Sequence, residues 1–385
     1  MNFPEKLKRK IELRKNQNSL RFLGEGNNLI DFSSNDYLGL SKSKELHFEI
    51  TECLKRLEVN QNGATGSRLL SGNHKLYNLV EDELCSIHNS ESALIFNSGY
   101  NANLGIFSSI PQRGDIILYD EFIHASIRDG IQLSNAKSYK FKHNSNEDLE
   151  GKLEMFSVKN NGTDQEIYVV TESVFSMDGD SPHLEAMIQV CKKHGAYFIV
   201  DEAHALGVFG QNGKGLTQKL GIESDIFARV FTFGKGLGCH GAVVLGSKEL
   251  KQFLVNYSRS FIYTTGLAPH SIATIKTSYE FLLGSKGEER QQLLEANIQH
   301  FREIAKELGL NFIKSSSAIH CCIISGNEKT KNIAKNLSES GFDVKPILSP
   351  TVAKGKERLR FCLHSYNTSN QITEVLQKLA TFVSY

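Results

Sequence analysis

The chain has 385 residues, 40% of them hydrophobic and 23% charged, which is enough to bury a substantial core in two or three domains, or in one large domain with an appendage. Its 44 basic residues balance 43 acidic ones, and a net charge of +1 gives no electrostatic case for nucleic acid or a membrane surface. Seven cysteines, an odd number with no C-x-x-C, argue against a disulfide framework and against a zinc ribbon, so no metal site is expected.

Met1–Asn16 is crowded with Lys, Arg and Glu and lacks an apolar signal core. Apolar runs such as Tyr197–Val200 and Ala242–Leu245 are far too short to span a bilayer, so the expected location is the cytoplasm.

Residues 4–22 read as a charged amphipathic helix, an arm rather than a domain. From about residue 75, strand-like and helix-like segments alternate. Ser92–Phe96 is a strand, followed by a helical pattern through Ile106; Asp115–Tyr119 is another, followed by Ala125–Leu133. Glu166–Thr171 precedes the helix Leu184–His194, and the strands Ala196–Val200, Phe227–Phe233 and Gly241–Gly246 complete the series. Continuous apolar strands alternating with helices predict a mostly parallel sheet covered on both faces, with ligands gathering at the carboxyl ends of the strands. A helical stretch from about Ser271 to Leu308 precedes a change of pattern. Ala318–Ile324 and Arg358–Leu363 read as strands of a smaller α+β unit, closed by the helix Asn370–Val383. The expected division is an arm over 1–40, a large α/β domain over 41–275 and a small C-terminal α+β domain over 276–385.

Chemistry concentrates where the apolar strands stop. Asn97-Ser98-Gly99-Tyr100-Asn101 joins a strand to a helix, and the free N–H groups of such a helix start suit a phosphate, although an ordinary turn uses the same letters. His124 follows the strand ending at Tyr119 and can stack on an aromatic cofactor and bond a substrate carboxylate, or simply cap the next helix. Ser176 lies in a turn-rich loop and can donate to a ring hydroxyl or a phosphate. Asp201-Glu-Ala-His204 ends one strand; the same letters hold magnesium in helicases, but no lysine here sits in a phosphate-cradling glycine loop, so an ATPase is excluded. Gly236-Leu-Gly238-Cys-His-Gly241 matches the dinucleotide fingerprint yet runs into the strand Ala242–Leu245, with no Asp or Glu over residues 250–279, which disfavours a nicotinamide dehydrogenase.

Lys235 stands on a glycine-flanked turn after Phe231-Thr232-Phe233. Its amine can form a Schiff base with an aldehyde, while Asp201 holds a pyridine nitrogen protonated, His204 bonds the ring oxygen and Thr232 bonds the phosphate. Those are the needs of a pyridoxal 5'-phosphate enzyme.

Seven motifs in order make the sequence resemble the α-oxoamine synthase family of pyridoxal phosphate enzymes: Phe32–Ser41, Gly63–Arg68, Phe175–Asp180, Asp201–His204, Thr232–Lys235, Phe261–Thr265 and Arg358–Arg360. The resemblance runs from about residue 5 to residue 383. It implies a fold-type I PLP-dependent transferase, with a large mostly parallel-sheet domain and a smaller C-terminal α+β domain. It also implies Lys235, His124 and Asp201 as catalytic groups, and substrate contacts from Arg21, Asn35, His124, Thr351 and Arg360. Thr-Phe-Gly-Lys at 232–235, Gly-Asp-Ser-Pro at 179–182 and Ile-Tyr-Thr-Thr at 262–265 are most similar to the oxononanoate synthase branch of biotin synthesis. That branch condenses L-alanine with a pimeloyl thioester of coenzyme A or a carrier protein; other branches use glycine or serine. One departure is Leu348-Ser349 ahead of Pro350-Thr351-Val352, where the branch often carries an arginine. The resemblance further implies a homodimer with active sites at the interface, Thr264 or Thr265 reaching the partner's phosphate.

Overall fold

A computed structural model describes residues 3–24, 26–157 and 164–383. Two compact units emerge. One gathers the residues up to Ser34, Met177–Gly179 and those from Leu294 onward; the other gathers Asn35–Ser176 and Asp180–Leu293.

The larger unit is organised by a seven-stranded sheet: β1 (Ser92–Phe96), β2 (Ile116–Asp120), β3 (Lys137–Phe141), β4 (Ile167–Glu172), β5 (Tyr197–Asp201), β6 (Ala228–Thr232) and β7 (Ala242–Gly246). Their order across the sheet is β1-β7-β6-β5-β4-β2-β3, and only β7 runs antiparallel to its neighbours. Every residue of β1 and β4 is buried, as a strand covered on both faces requires. Because side chains alternate along a strand, Ile117, Val170 and Ile199 join one apolar cluster while Leu118, Val169 and Val200 join another on the opposite face. The first cluster packs on the helices α1 (Gly99–Ser109) and α2 (Ala125–Leu133) through Ile106, Phe107, Ile127 and Ile131. Burying each such side chain contributes roughly 1.5–3 kcal/mol.

Several element boundaries depart from the sequence reading. The N-terminal helix covers Glu5–Asn16 rather than residues 4–22; Asn18 takes a left-handed φ of 51° and the Ser19 N–H closes back on Arg14 O at 2.8 Å, which ends the helix before Arg21. The stretch from Ser271 is two helices, Pro269–Leu283 and Ser285–Glu307, parted at Gly284, whose extended backbone (φ −86°, ψ 173°) stops the first. Strand β3 escapes an apolar search because its first four residues are exposed.

In the smaller unit, β8 (Ile319–Ile323), β9 (Lys345–Ile347) and β10 (Arg358–Cys362) form an antiparallel sheet in the order β9-β10-β8. The helices Asn327–Glu339 and Ser369–Val383 bury Ile333, Leu337, Ile372, Val375, Leu376 and Leu379. Met177–Gly179 is stitched into this unit: Arg358 Nη1 donates to Met177 O at 2.9 Å and pairs with Asp178, and the Ser315 and Ser317 hydroxyls donate to Gly179 O at 2.7 and 2.8 Å. A side chain at Gly179 would strike Ile319 O at 2.0 Å, so glycine is required there.

Candidate active site

Two carboxylates end neighbouring strands of the large sheet. Glu172 closes β4 and Asp201 closes β5, and the two are paired in register. Both are almost fully buried, which an ionised carboxylate tolerates only when hydrogen-bonded. Asp201 Oδ2 accepts from Asn103 Nδ2 at 2.7 Å and Oδ1 from the Ala203 N–H at 2.9 Å. Glu172 Oε1 accepts from the His124 N–H at 2.5 Å. Burial, reinforced by the Asp201 charge alongside, pushes the Glu172 pKa well above the ordinary carboxylate value.

The helix α1 begins opposite these carboxylates' strands. Ser98 Oγ caps it, accepting from the Asn101 N–H at 3.2 Å. A Cβ on Gly99 would lie 2.3 Å from Thr232 Cγ2, so the glycine lets the helix start approach the end of β6 closely. Tyr100 is partly exposed and its hydroxyl donates to Asp129. Thr264 and Thr265 lie near the same turn, since Asn97 Nδ2 donates to Thr265 O at 2.5 Å and to Thr264 Oγ1 at 3.4 Å.

His124 takes the capping role that one reading of the sequence gives it, and its ring also faces open space. Its Nδ1 accepts from the Ser126 N–H at 3.2 Å, capping α2, and its ring lines the cavity described next. Burial lowers its pKa despite the nearby Asp201, which favours the neutral ring. Lys235, on the turn after β6, donates from Nζ to His204 Nε2 at 2.8 Å. His204 Nδ1 in turn donates to the Tyr37 hydroxyl at 2.6 Å, and Tyr37 donates to Asn35 Oδ1 at 3.3 Å. These donor assignments give each atom one consistent role along the chain.

A cavity of about 250 Å³ opens at this strand edge. It brings together Asn35, Ser98, Gly99, Tyr100 and His124 with Asp201, His204, Thr232 and Lys235. Ser176 is half-buried in the loop after β4 and is not among the lining residues. Arg21, Thr351 and Arg360 belong to the smaller unit, where Arg21 and Thr351 are exposed and Arg360 is buried in β10, in register with Lys345 and Cys321.

The cavity also contains residues that the sequence reading passed over: Asn103, Ser126, Glu172, Ala203 and His240. Glu172 was open to the rule that singled out Asp201, a carboxylate closing an apolar strand. Asn103 carries a weaker signal, an amide among the apolar residues of a buried helix.

The donor set suits pyridoxal phosphate. A helix start with a hydroxyl on each side, Ser98 and Thr232, presents N–H and O–H donors to a phosphate. An amine lies in the same cavity as a buried carboxylate that already accepts two hydrogen bonds, and that carboxylate can face a ring N–H.

Known proteins point the same way. The aminotransferase class I and II family matches residues 27–379. An 8-amino-7-oxononanoate synthase from Emericella nidulans is 40% identical over 367 residues, 92% of this chain and 89% of the relative. Among solved structures, a serine palmitoyltransferase from S. paucimobilis with a bound PLP–myriocin aldimine superposes with a TM-score of 0.88 at 28% identity, covering 99% of this chain and 97% of that one. The 8-amino-7-oxononanoate synthase of Francisella tularensis gives a TM-score of 0.76 at 29% identity, covering 93% and 98%.

Proposed function

The chain belongs to the aminotransferase class I and II family, and on that premise we propose that it is a pyridoxal-phosphate-dependent acyltransferase of the 8-amino-7-oxononanoate synthase type. It joins L-alanine to pimeloyl-CoA or a pimeloyl carrier protein with loss of carbon dioxide. The observation that carries this reading is the gathering of the Lys235 amine, the Asp201 carboxylate and the start of α1 in one cavity.

In this reading Ser98, Gly99, Tyr100 and Thr232 hold the phosphate, with Thr264 or Thr265 of a second subunit completing the site in a cytoplasmic homodimer. Lys235 supplies the amine that anchors the cofactor, His124 lies against the ring, and His204 and Ser176 bond its oxygens. When bound, pyridoxal phosphate supplies an electron sink for the pair left at the substrate α-carbon. Asp201, held in place by its bonds from Asn103 and Ala203, would keep a proton on the ring nitrogen. The Lys235 Nζ would also take the substrate α-proton, and its contact with His204 would steady that amine for the transfer. Arg360 clamps the amino-acid carboxylate through its two-donor fork with Asn35 assisting, while Arg21 and Thr351 meet the acyl substrate.

A second reading keeps the chemistry and changes the substrate. Leu348 stands where the oxononanoate synthases often carry an arginine, and the likeness to serine palmitoyltransferase favours glycine or serine with another thioester. Titrating the holoenzyme with L-alanine, glycine and L-serine, then with pimeloyl and shorter thioesters, separates the two. Turnover that requires alanine and a pimeloyl thioester is the expected outcome; preference for glycine or serine would move the protein to another branch.

A further inference from the structure

His143 follows β3 and takes no part in the reading above. Its Nδ1 donates to Asp120 Oδ1 and its Nε2 donates to Asp180 Oδ2, each at 2.9 Å. A carboxylate only accepts, so a ring that satisfies both carries a proton on each nitrogen. The ring centroid lies 4.5 Å from those of Phe122 and Phe175. The other charges facing this residue are Glu121, which accepts from the His143 N–H at 3.3 Å, and Lys140, which pairs with Glu121 at 3.5 Å. Burial alone would lower the His143 pKa, but the hydrogen bonds to Asp120 and Asp180 carry it up to about 10.

One carboxylate closes β2 and the other lies in the loop after β4. Asp120, fully buried, organises the turn after β2: it accepts from the Phe122 N–H and the Asn144 N–H, both at 2.8 Å, and the turn ends at His124. Asp180 accepts a second donor, Asn144 Nδ2, at 2.8 Å on the oxygen that His143 uses. Its carbonyl accepts from the Phe175 N–H at 3.0 Å, beside Ser176. We infer that His143 is a positioning residue, a doubly bonded imidazolium that ties the Asp120–His124 turn to the segment carrying Ser176 and so sets both side chains for the cofactor ring. The inference rests on the proposed function in taking His124 and Ser176 as cofactor contacts.

His143→Gln keeps the bulk but carries no charge and cannot donate from two opposed ring nitrogens. Hydrogen exchange of the cofactor-free variant is expected to speed up about tenfold in residues 120–124 and 173–176 together, with β1 unchanged. On adding pyridoxal phosphate, its visible circular dichroism band is expected to fall by about half, because the ring is held less uniformly, while the melting transition stays cooperative. Asp180→Asn weakens one end of the clamp, should speed exchange about threefold in the same two segments, and carries the test if His143→Gln does not fold. Faster exchange confined to the residues around 143, or an unchanged dichroism band in a folded variant, would overturn the inference. If the unaltered protein bound no pyridoxal phosphate, the functional reading would fall while the exchange data still decided the clamp.

Discussion

At the amino end of the seven-stranded sheet, Tyr168 and Tyr197 stack with ring centroids 5.4 Å apart, and Phe227 packs 4.9 Å from Tyr197. Elsewhere in the same unit, His88 is fully buried against Phe231 and bonds the Tyr279 hydroxyl through Nε2 at 2.9 Å. At the carboxyl end of the same strands stand Asp120, Glu172 and Asp201, all buried, with Lys235 and His204 beyond them. One end contributes apolar contact; the other accepts the desolvation of several charged groups, offset by hydrogen bonds such as those from Asn103 and Ala203 to Asp201. The strands therefore have a stabilising end and a reactive end, and substitutions should separate accordingly.

The largest effect is expected at the reactive end. Lys235→Ala should reduce turnover below detection, and Asp201→Asn should still bind cofactor yet lose on the order of 10³-fold in kcat. A fall of less than tenfold in the Asp201 variant would remove the electron-sink role from that residue. At the other end, Tyr197→Ala should lower stability by about 1–2 kcal/mol, less than a fully buried aromatic because the ring is partly exposed. Its kcat per folded molecule should hold; a tenfold fall would erase the distinction between the ends.

Two histidines sharpen the same contrast through pH. His143 has its pKa raised from 6.5 to about 10, so the stability it contributes is complete below pH 6.5 and is lost as pH rises through 10. His88 is lowered from 6.5 to about 3 by burial and the adjacent Arg229, so the unfolded chain binds the extra proton and stability falls as pH drops from 6.5 toward 3. Melting temperatures of His143→Gln should therefore lose the alkaline slope and those of His88→Gln the acid slope. The reverse assignment, or no change in either, would contradict the charge states argued for the two sites.

Much of this was readable from the amino acids. Strands β1, β4, β5 and β7 are largely apolar runs and β6 is one broken by Arg229, and Asp201 and Lys235 are visible because chemistry interrupts hydrophobicity there. Strand β3 was hidden because an edge strand with Lys137 and Lys140 facing water carries no apolar signature. Glu172 follows the same rule as Asp201, a carboxylate closing an apolar strand, whereas Tyr37 needed the fold that brings it to His204 from far along the chain. His124 reads as either a helix cap or a ring that stacks on a cofactor; the fold shows the cap, and the ring also lines the cavity. The clamp at His143 joins residues 120, 143 and 180, a separation that no local pattern encodes.

In the proposed reading Lys235 is the amine that anchors pyridoxal phosphate. Borohydride reduction of the purified holoenzyme, followed by peptide mass spectrometry, should find the pyridoxyl group on the peptide containing Lys235 and nowhere else. A label on another lysine, or none on protein reconstituted with the cofactor, would contradict the account.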